Sequence, residues 1–213
     1  MRPEAEPIAL KPDCILAFDT SAAHCAAALL LDGRVWLKSE AMEKGQAERL
    51  MPLIAELLAE AGAALADITA IGVGTGPGNF TGVRISVAAA RGLALGLGVP
   101  AIGVTRLEAL AYGLPRPVTV IEDARRGEVY VQRFDASGPE AARIVAAEAL
   151  GMVEGAVVGR NGLISLPIAE AIARIAVTRA GSVQPRPAPM YLRGADAAPP
   201  SDPPPVILDL AAP

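Results

Sequence analysis

Between residues 74 and 82 the chain reads Gly-Thr-Gly-Pro-Gly-Asn-Phe-Thr-Gly, between an apolar run and a long helical pattern. Backbone N–H groups in such a turn, with the positive end of a helix behind them, form a cradle for anions. Glycine permits positive φ and close approach, so Gly76 and Gly78 are candidate contacts for a phosphate or carboxylate. No Gly-Lys-Ser/Thr follows, so the segment is not a Walker loop. The other reading is a tight strand-to-helix turn whose glycines serve packing alone, and spacing does not choose between the two. Asp19, with Thr20 and Ser21 at a strand end, could hold a metal-bound nucleotide or a substrate hydroxyl, or be a turn residue bonding its own backbone. Asp123 with Arg125 could do likewise, or form a surface ion pair worth little. His24 is the one histidine, so a metal site built on a histidine pair cannot form within the chain. A Cys/His site would need Cys14, Cys25 and His24 to converge, yet neighbours on a strand point apart. Nothing places a serine beside His24, so no Ser-His-Asp set is assembled and no catalytic residue is assigned.

The elements that must position these residues follow from the apolar pattern. Ile15–Phe18 reads as a buried strand ending at Asp19, Ala26–Leu31 as a second, and Arg34–Lys38 as a third returning from an Asp32-Gly33 hairpin. A helix is expected over 47–61, with Leu50, Leu53, Ile54, Leu57 and Leu58 on one face and Gly62 as its stop. Pro52 fits that helix only near its first turn. A strand at 68–75 runs into the glycine segment, a long helix spans 81–97, and a strand at 100–104 leads into a helix over 105–112. Thr105 is placed as its N-cap, with Glu108 three residues on. Along the long helix Ala88, Gly92 and Gly96 repeat every four residues, a face that admits another helix closely; it serves either internal packing or a subunit interface.

Val118–Ile121, then Glu122–Gly127, then Glu128–Phe134 repeat the opening unit, with Asp123 in the place of Asp19. The second half is thinner, with a strand at 156–158 and a helix at 168–180. From Gln184 prolines crowd the sequence, as expected of an extended segment that packs only in part. The domain reading is therefore 1–113 and 114–213.

Composition narrows the function. The 213 residues are 52% hydrophobic and 20% charged, enough for a core. A net charge of −4 and 3% aromatics make the chain as a whole a poor holder of nucleic acid. Cys14 and Cys25 are too few for a disulfide framework. No signal peptide is expected at the start, and the apolar stretch at 85–104, broken by Arg91, glycines and Pro100, is a poor membrane span, so a cytoplasmic location is expected.

Residues 15–21 (ILAFDTS), 72–82 (GVGTGPGNFTG), 103–110 (GVTRLEAL), 123–130 (DARRGEVY) and 191–193 (YLR) resemble the TsaB, or YeaZ, family in order and spacing. The resemblance implies an α/β fold of the actin/Hsp70/sugar-kinase (ASKHA) group, two βββαβα-type halves with the C-terminal half reduced. It implies a part in making threonylcarbamoyladenosine next to the anticodon of tRNAs reading codons that begin with A. In that system TsaD carries the transfer site and a metal held by a histidine pair, TsaE is an ATPase, and TsaB is a non-catalytic partner of TsaD. The single histidine fits that division. The family often has His-Ser-Glu before its first long helix, where this chain has Gln46-Ala47-Glu48.

A binding subunit is therefore expected, its partner-facing surface drawn from Leu50, Leu53 and Leu57 on the first helix and Ala88, Gly92 and Gly96 on the second. It would pair with TsaD, meet TsaE through the complex, form a homodimer when alone, and reach tRNA only within the complex. No cofactor is expected to bind tightly, with ATP or ADP entering only in the assembled complex. The competing reading is a small nucleotide-dependent phosphotransferase or hydrolase using Asp19, Thr20 and the 74–82 loop. A direct tRNA-binding module is the weakest reading, with Arg84, Arg91, Arg125 and Arg126 adding a local contribution inside an assembly.

Overall fold

The computed structural model describes residues 13–151, 156–159 and 166–193. Five strands form the first sheet in the order β3-β2-β1-β4-β5. They are β1 (Cys14–Asp19), β2 (His24–Leu31), β3 (Arg34–Ala41), β4 (Ala70–Gly74) and β5 (Ala101–Val104). β1, β2 and β3 are antiparallel neighbours, whereas β4 and β5 run parallel to β1. The β2–β3 turn uses Asp32 and Gly33, both at positive φ, as the Asp-Gly pair requires.

β1 is apolar from Cys14 to Phe18 because both of its faces are covered. Leu16 and Phe18 face one core with α1 (Gln46–Ala61) and α2 (Phe80–Leu97). Ile15 and Ala17 face a second core with α4 (Ile168–Arg179). That second core is built largely of alanines, so α4 lies close to the sheet: a Cβ at Gly72 would sit 2.9 Å from the Ala176 Cβ. Although α4 is late in the chain, it belongs to the core of the first sheet, so a division at 113/114 separates the strands but not the cores.

The expected apolar face of α1 exists, and its direction corrects one expectation. Leu50, Leu53 and Leu57 are 0–1% exposed and pack on the chain's own sheet, so they are not a partner surface. The outward face of α1 is charged instead. Arg49 bonds Glu40 and Glu56, and Lys38 bonds Glu60 at 2.6 Å. Pro52 lies in the second turn, on the exposed side. α2 has the length and composition of a membrane span, yet Val83, Val87, Ala90 and Ala94 are core residues of the first sheet. Its outer stripe, Ala88, Gly92, Leu95 and Gly96, is exposed, with Leu95 at 82%.

The second sheet runs β10-β6-β7-β8, with β9 also on β7. Its strands are β6 (Val118–Arg125), β7 (Glu128–Asp135), β8 (Gly138–Pro139), β9 (Arg143–Ala146) and β10 (Ala156–Gly159). β6 has an antiparallel neighbour in β7 and a parallel one in β10, as β1 has in β2 and β4. The duplicated α/β plan is therefore present, an actin/Hsp70/sugar-kinase (ASKHA) type of fold. The second unit is thinly covered: α3 (Arg106–Leu110) lends Leu107 to one face, and Ile121, Val129 and Val131 make a small cluster on the other. The Thr105 Oγ accepts from the Glu108 N–H at 3.1 Å, the expected cap.

Candidate functional site

The turn after β1, the glycine segment after β4, the start of α3 and the β6–β7 hairpin meet around a cleft of about 180 Å³. Ser21, Gly78, Asn79, Arg106, Glu122 and Asp123 are among its lining residues. Asp19 and Thr20 are not. Both are fully buried. The Asp19 Oδ1 accepts from the Ser21 N–H at 3.1 Å and the Ser21 Oγ at 2.9 Å, and lies 2.7 Å from the His24 Nε2. The Thr20 hydroxyl donates to the Gly82 carbonyl at 2.6 Å. The expectation that these two side chains contact a nucleotide is corrected: they fasten the β1 turn to α2 and to β2. Asp19 acts as the turn residue that was the alternative reading, with His24 added.

The same closeness explains the glycines. A Cβ at Gly78 would lie 2.2 Å from the Ser21 carbonyl oxygen, and one at Gly82 would lie 2.0 Å from that of Thr20. Gly76 is buried at positive φ, and its carbonyl accepts from the Arg106 N–H at 2.7 Å. The N–H groups of Thr75, Asn79, Gly82 and Val83 all bond within the chain. The segment is a packing joint, and of the two glycines expected at an anion, Gly78 lines the cleft and Gly76 does not.

Burial by itself would raise the Asp19 carboxyl. The His24 hydrogen bond, the positive charge of Arg106 and the Ser21 hydrogen bond outweigh it and hold the group below its ordinary value. Arg106 is a residue that composition and spacing did not single out, although it lies within the 103–110 motif. Its Nε donates to Glu122 at 2.9 Å, and its Nη1 is buried with no hydrogen-bond partner among the described residues. His24 was likewise left without a role; five residues from Asp19, it had no pattern to reveal it. Ser21 and His24 share one oxygen of Asp19, which ties both to the carboxylate and is not the serine–histidine contact of a nucleophile and its base. Burial pushes the Cys14 and Cys25 thiols up to about 11, the behaviour of core residues.

Next to the cleft a groove of about 1040 Å³ opens between the start of α2, the β6–β7 hairpin and residues 190–193. Residues 190–193, the end of the proline-bearing segment from Gln184, build one wall of it. Pro187 is buried, and the Met190 N–H donates to the Thr75 carbonyl at 2.8 Å. Tyr191 receives the Arg84 Nε at 2.8 Å, and Arg193 bonds the Ala124 carbonyl and Glu128. The rest of the proline-rich tail, from 194, lies outside the described residues.

This architecture recurs in solved structures. YeaZ from Pseudomonas aeruginosa superposes with a TM-score of 0.69 at 30% identity, over 84% of this chain and 100% of that one. A second Pseudomonas aeruginosa protein, described by its similarity to peptidase YeaZ, gives 0.71 at 28% identity, over 85% and 100%. The chain belongs to the TsaB (YeaZ) family. Residues 40–191 also match the family model for TsaD, tRNA N6-adenosine threonylcarbamoyltransferase. The tRNA threonylcarbamoyladenosine biosynthesis protein TsaB of Escherichia coli K12 is 43% identical over 121 residues, 54% of this chain and 52% of that protein. TsaB of Haemophilus influenzae Rd is 39% identical over 121 residues, 54% and 51%. The match thus spans about half the length of these TsaB relatives.

Proposed function

We propose that this chain is the non-catalytic partner of a TsaD protein in the complex that transfers the threonylcarbamoyl group to adenosine 37 of tRNAs reading codons that begin with A. The observation that carries the reading is the outer stripe of α2. An 18-residue apolar helix leaves Ala88, Gly92, Leu95 and Gly96 uncovered, a surface suited to a second helix. The names of the TsaB relatives supply the pathway. The single histidine leaves the histidine pair of the transfer centre to TsaD. TsaE would join through the complex, ATP or ADP would enter only on assembly, and the work is cytoplasmic. Without TsaD the same stripe would pair two copies of the chain.

Gly92→Trp tests the reading. No atom of the described residues lies within 4 Å of a Cβ built at Gly92, so the variant should fold with an unchanged melting temperature. It should fail to co-elute with TsaD on size exclusion and fail to restore the modified adenosine in cells lacking the wild-type chain. Intact co-elution would overturn the proposal.

A further inference from the structure

We infer that the groove beside α2 binds single-stranded RNA, its bases on an aromatic platform and its phosphates on the arginines of the β6–β7 tip. Phe80 and Tyr191 are 111 residues apart in the sequence (191 − 80), yet their ring centroids are 5.2 Å apart. The Arg84 guanidinium lies over one face of Phe80, 3.6 Å from its centroid, and donates to the Tyr191 hydroxyl, so on that side a base would stack on the guanidinium plane and on Tyr191. Both rings remain about half exposed, Phe80 at 52% and Tyr191 at 47%, and both line the groove with Tyr130. In a chain with so few aromatics, three converge here.

The charge is equally uneven. The chain carries −4 overall, but among the described residues the groove is lined by Arg84, Arg125, Arg126 and Arg193 and by no Asp or Glu. Arg193 is neutralised by Glu128, whereas Arg84 and Arg125 make no ion pair among the described residues. Glu122 and Asp123 line the adjoining cleft, which directs an anionic strand toward Arg84 and Arg125 and away from that end. Arg125 and Arg126 stand at positive φ in the tight β6–β7 hairpin turn, which places both at the tip of the hairpin. Planar faces with unneutralised arginines suit bases and phosphates better than the carboxylates of an acidic peptide, which need no rings.

The inference rests on the tRNA-modification reading only for naming RNA. Pairing through Gly92 can fail while this groove still binds, and the reverse, so the two failures are distinguishable. The test is fluorescence anisotropy on the full chain with a labelled RNA hairpin bearing a single-stranded loop. At low salt the expected dissociation constant is on the order of 10 µM. Phe80→Ala and Tyr191→Ala should each weaken binding about tenfold. Arg125→Ala should lower the slope of log affinity against log salt by about one. Arg125→Glu, on an exposed turn, serves as a second variant should either aromatic change disturb folding. Blunt duplex RNA, ATP and a polyglutamate peptide should not displace the hairpin. No binding at low salt, affinity unmoved by these variants, or displacement by any of the three competitors would overturn the inference.

Discussion

The sequence echo pairs Asp19 with Asp123, but the parallel ladders set Glu122, after Ile121, where Asp19 follows Phe18, and the two aspartates have opposite fates. Asp19 is fully buried and tied to Ser21 and His24. Asp123 is exposed, and its Oδ1 accepts from the Arg125 N–H at 2.8 Å. What differs is the covering layer. Behind β1 the glycine segment and α2 close down because Gly74, Gly78 and Gly82 have no side chains; a Cβ at Gly74 would lie 1.8 Å from the Asp19 Oδ2. At the β6–β7 tip nothing lies within 4 Å of a Cβ built at Gly127. One plan has thus yielded a locked joint in the first unit and an open, arginine-bearing tip in the second. Burial, rather than the strand pattern, decides which aspartate can meet solvent.

Filling the joint should produce the largest effect. Gly82→Val meets the Thr20 backbone and forces it to move, an overpacking expected to cost about 3 kcal/mol or more. Gly127→Ala in the open tip meets no neighbour and should cost only about 1 kcal/mol, for its positive φ. Urea unfolding of both variants measures the gap, and equal losses would break the comparison. Next comes removal of the two carboxylates. Asp19→Ala leaves Ser21 and His24 without their acceptor in a buried site and should cost about 3 kcal/mol. Asp123→Ala loses one exposed turn bond and should stay within about 0.5 kcal/mol of the parent.

The strand plan was legible in the sequence because Ile15–Phe18, Ala26–Leu31 and Val118–Ile121 are largely apolar runs and because Asp32-Gly33 marks a hairpin. α2 starts one residue before the expected 81, at Phe80, since Asn79 supplies its cap, accepting from the Gly82 N–H at 3.0 Å. The face of α1 was legible, but its occupant was not. The spacing of Leu50, Leu53 and Leu57 describes an apolar stripe equally well whether a partner or the chain's own β1 and β2 covers it. The strands β8 and β9 passed unnoticed because they are only two and four residues long, too short to carry a period. β6 continues past Asp123 through an irregular register to Arg125, and positive φ at two arginines has no compositional signal. The groove could not be read at all, since Arg84, Arg125 and Tyr191 meet only through the third dimension.

The finest way to sharpen the comparison is through protons. The Asp19 carboxyl lies below its ordinary value in the folded chain, chiefly because the His24 hydrogen bond and the Arg106 charge overcome burial. A depressed carboxyl contributes stability that is complete above its unfolded value of about 3.9 and is lost as pH falls through the folded value. The parent should therefore lose stability more steeply than Asp19→Asn as pH drops below about 4. His24→Ala removes the leading interaction that holds the proton off, so its decline should be shallower than the parent's. Urea midpoints measured from neutral pH down into this acid range provide the check. Identical slopes for the parent and Asp19→Asn would mean that the buried carboxylate is not a linked proton site, and the lock on the first unit would then have to be packing alone.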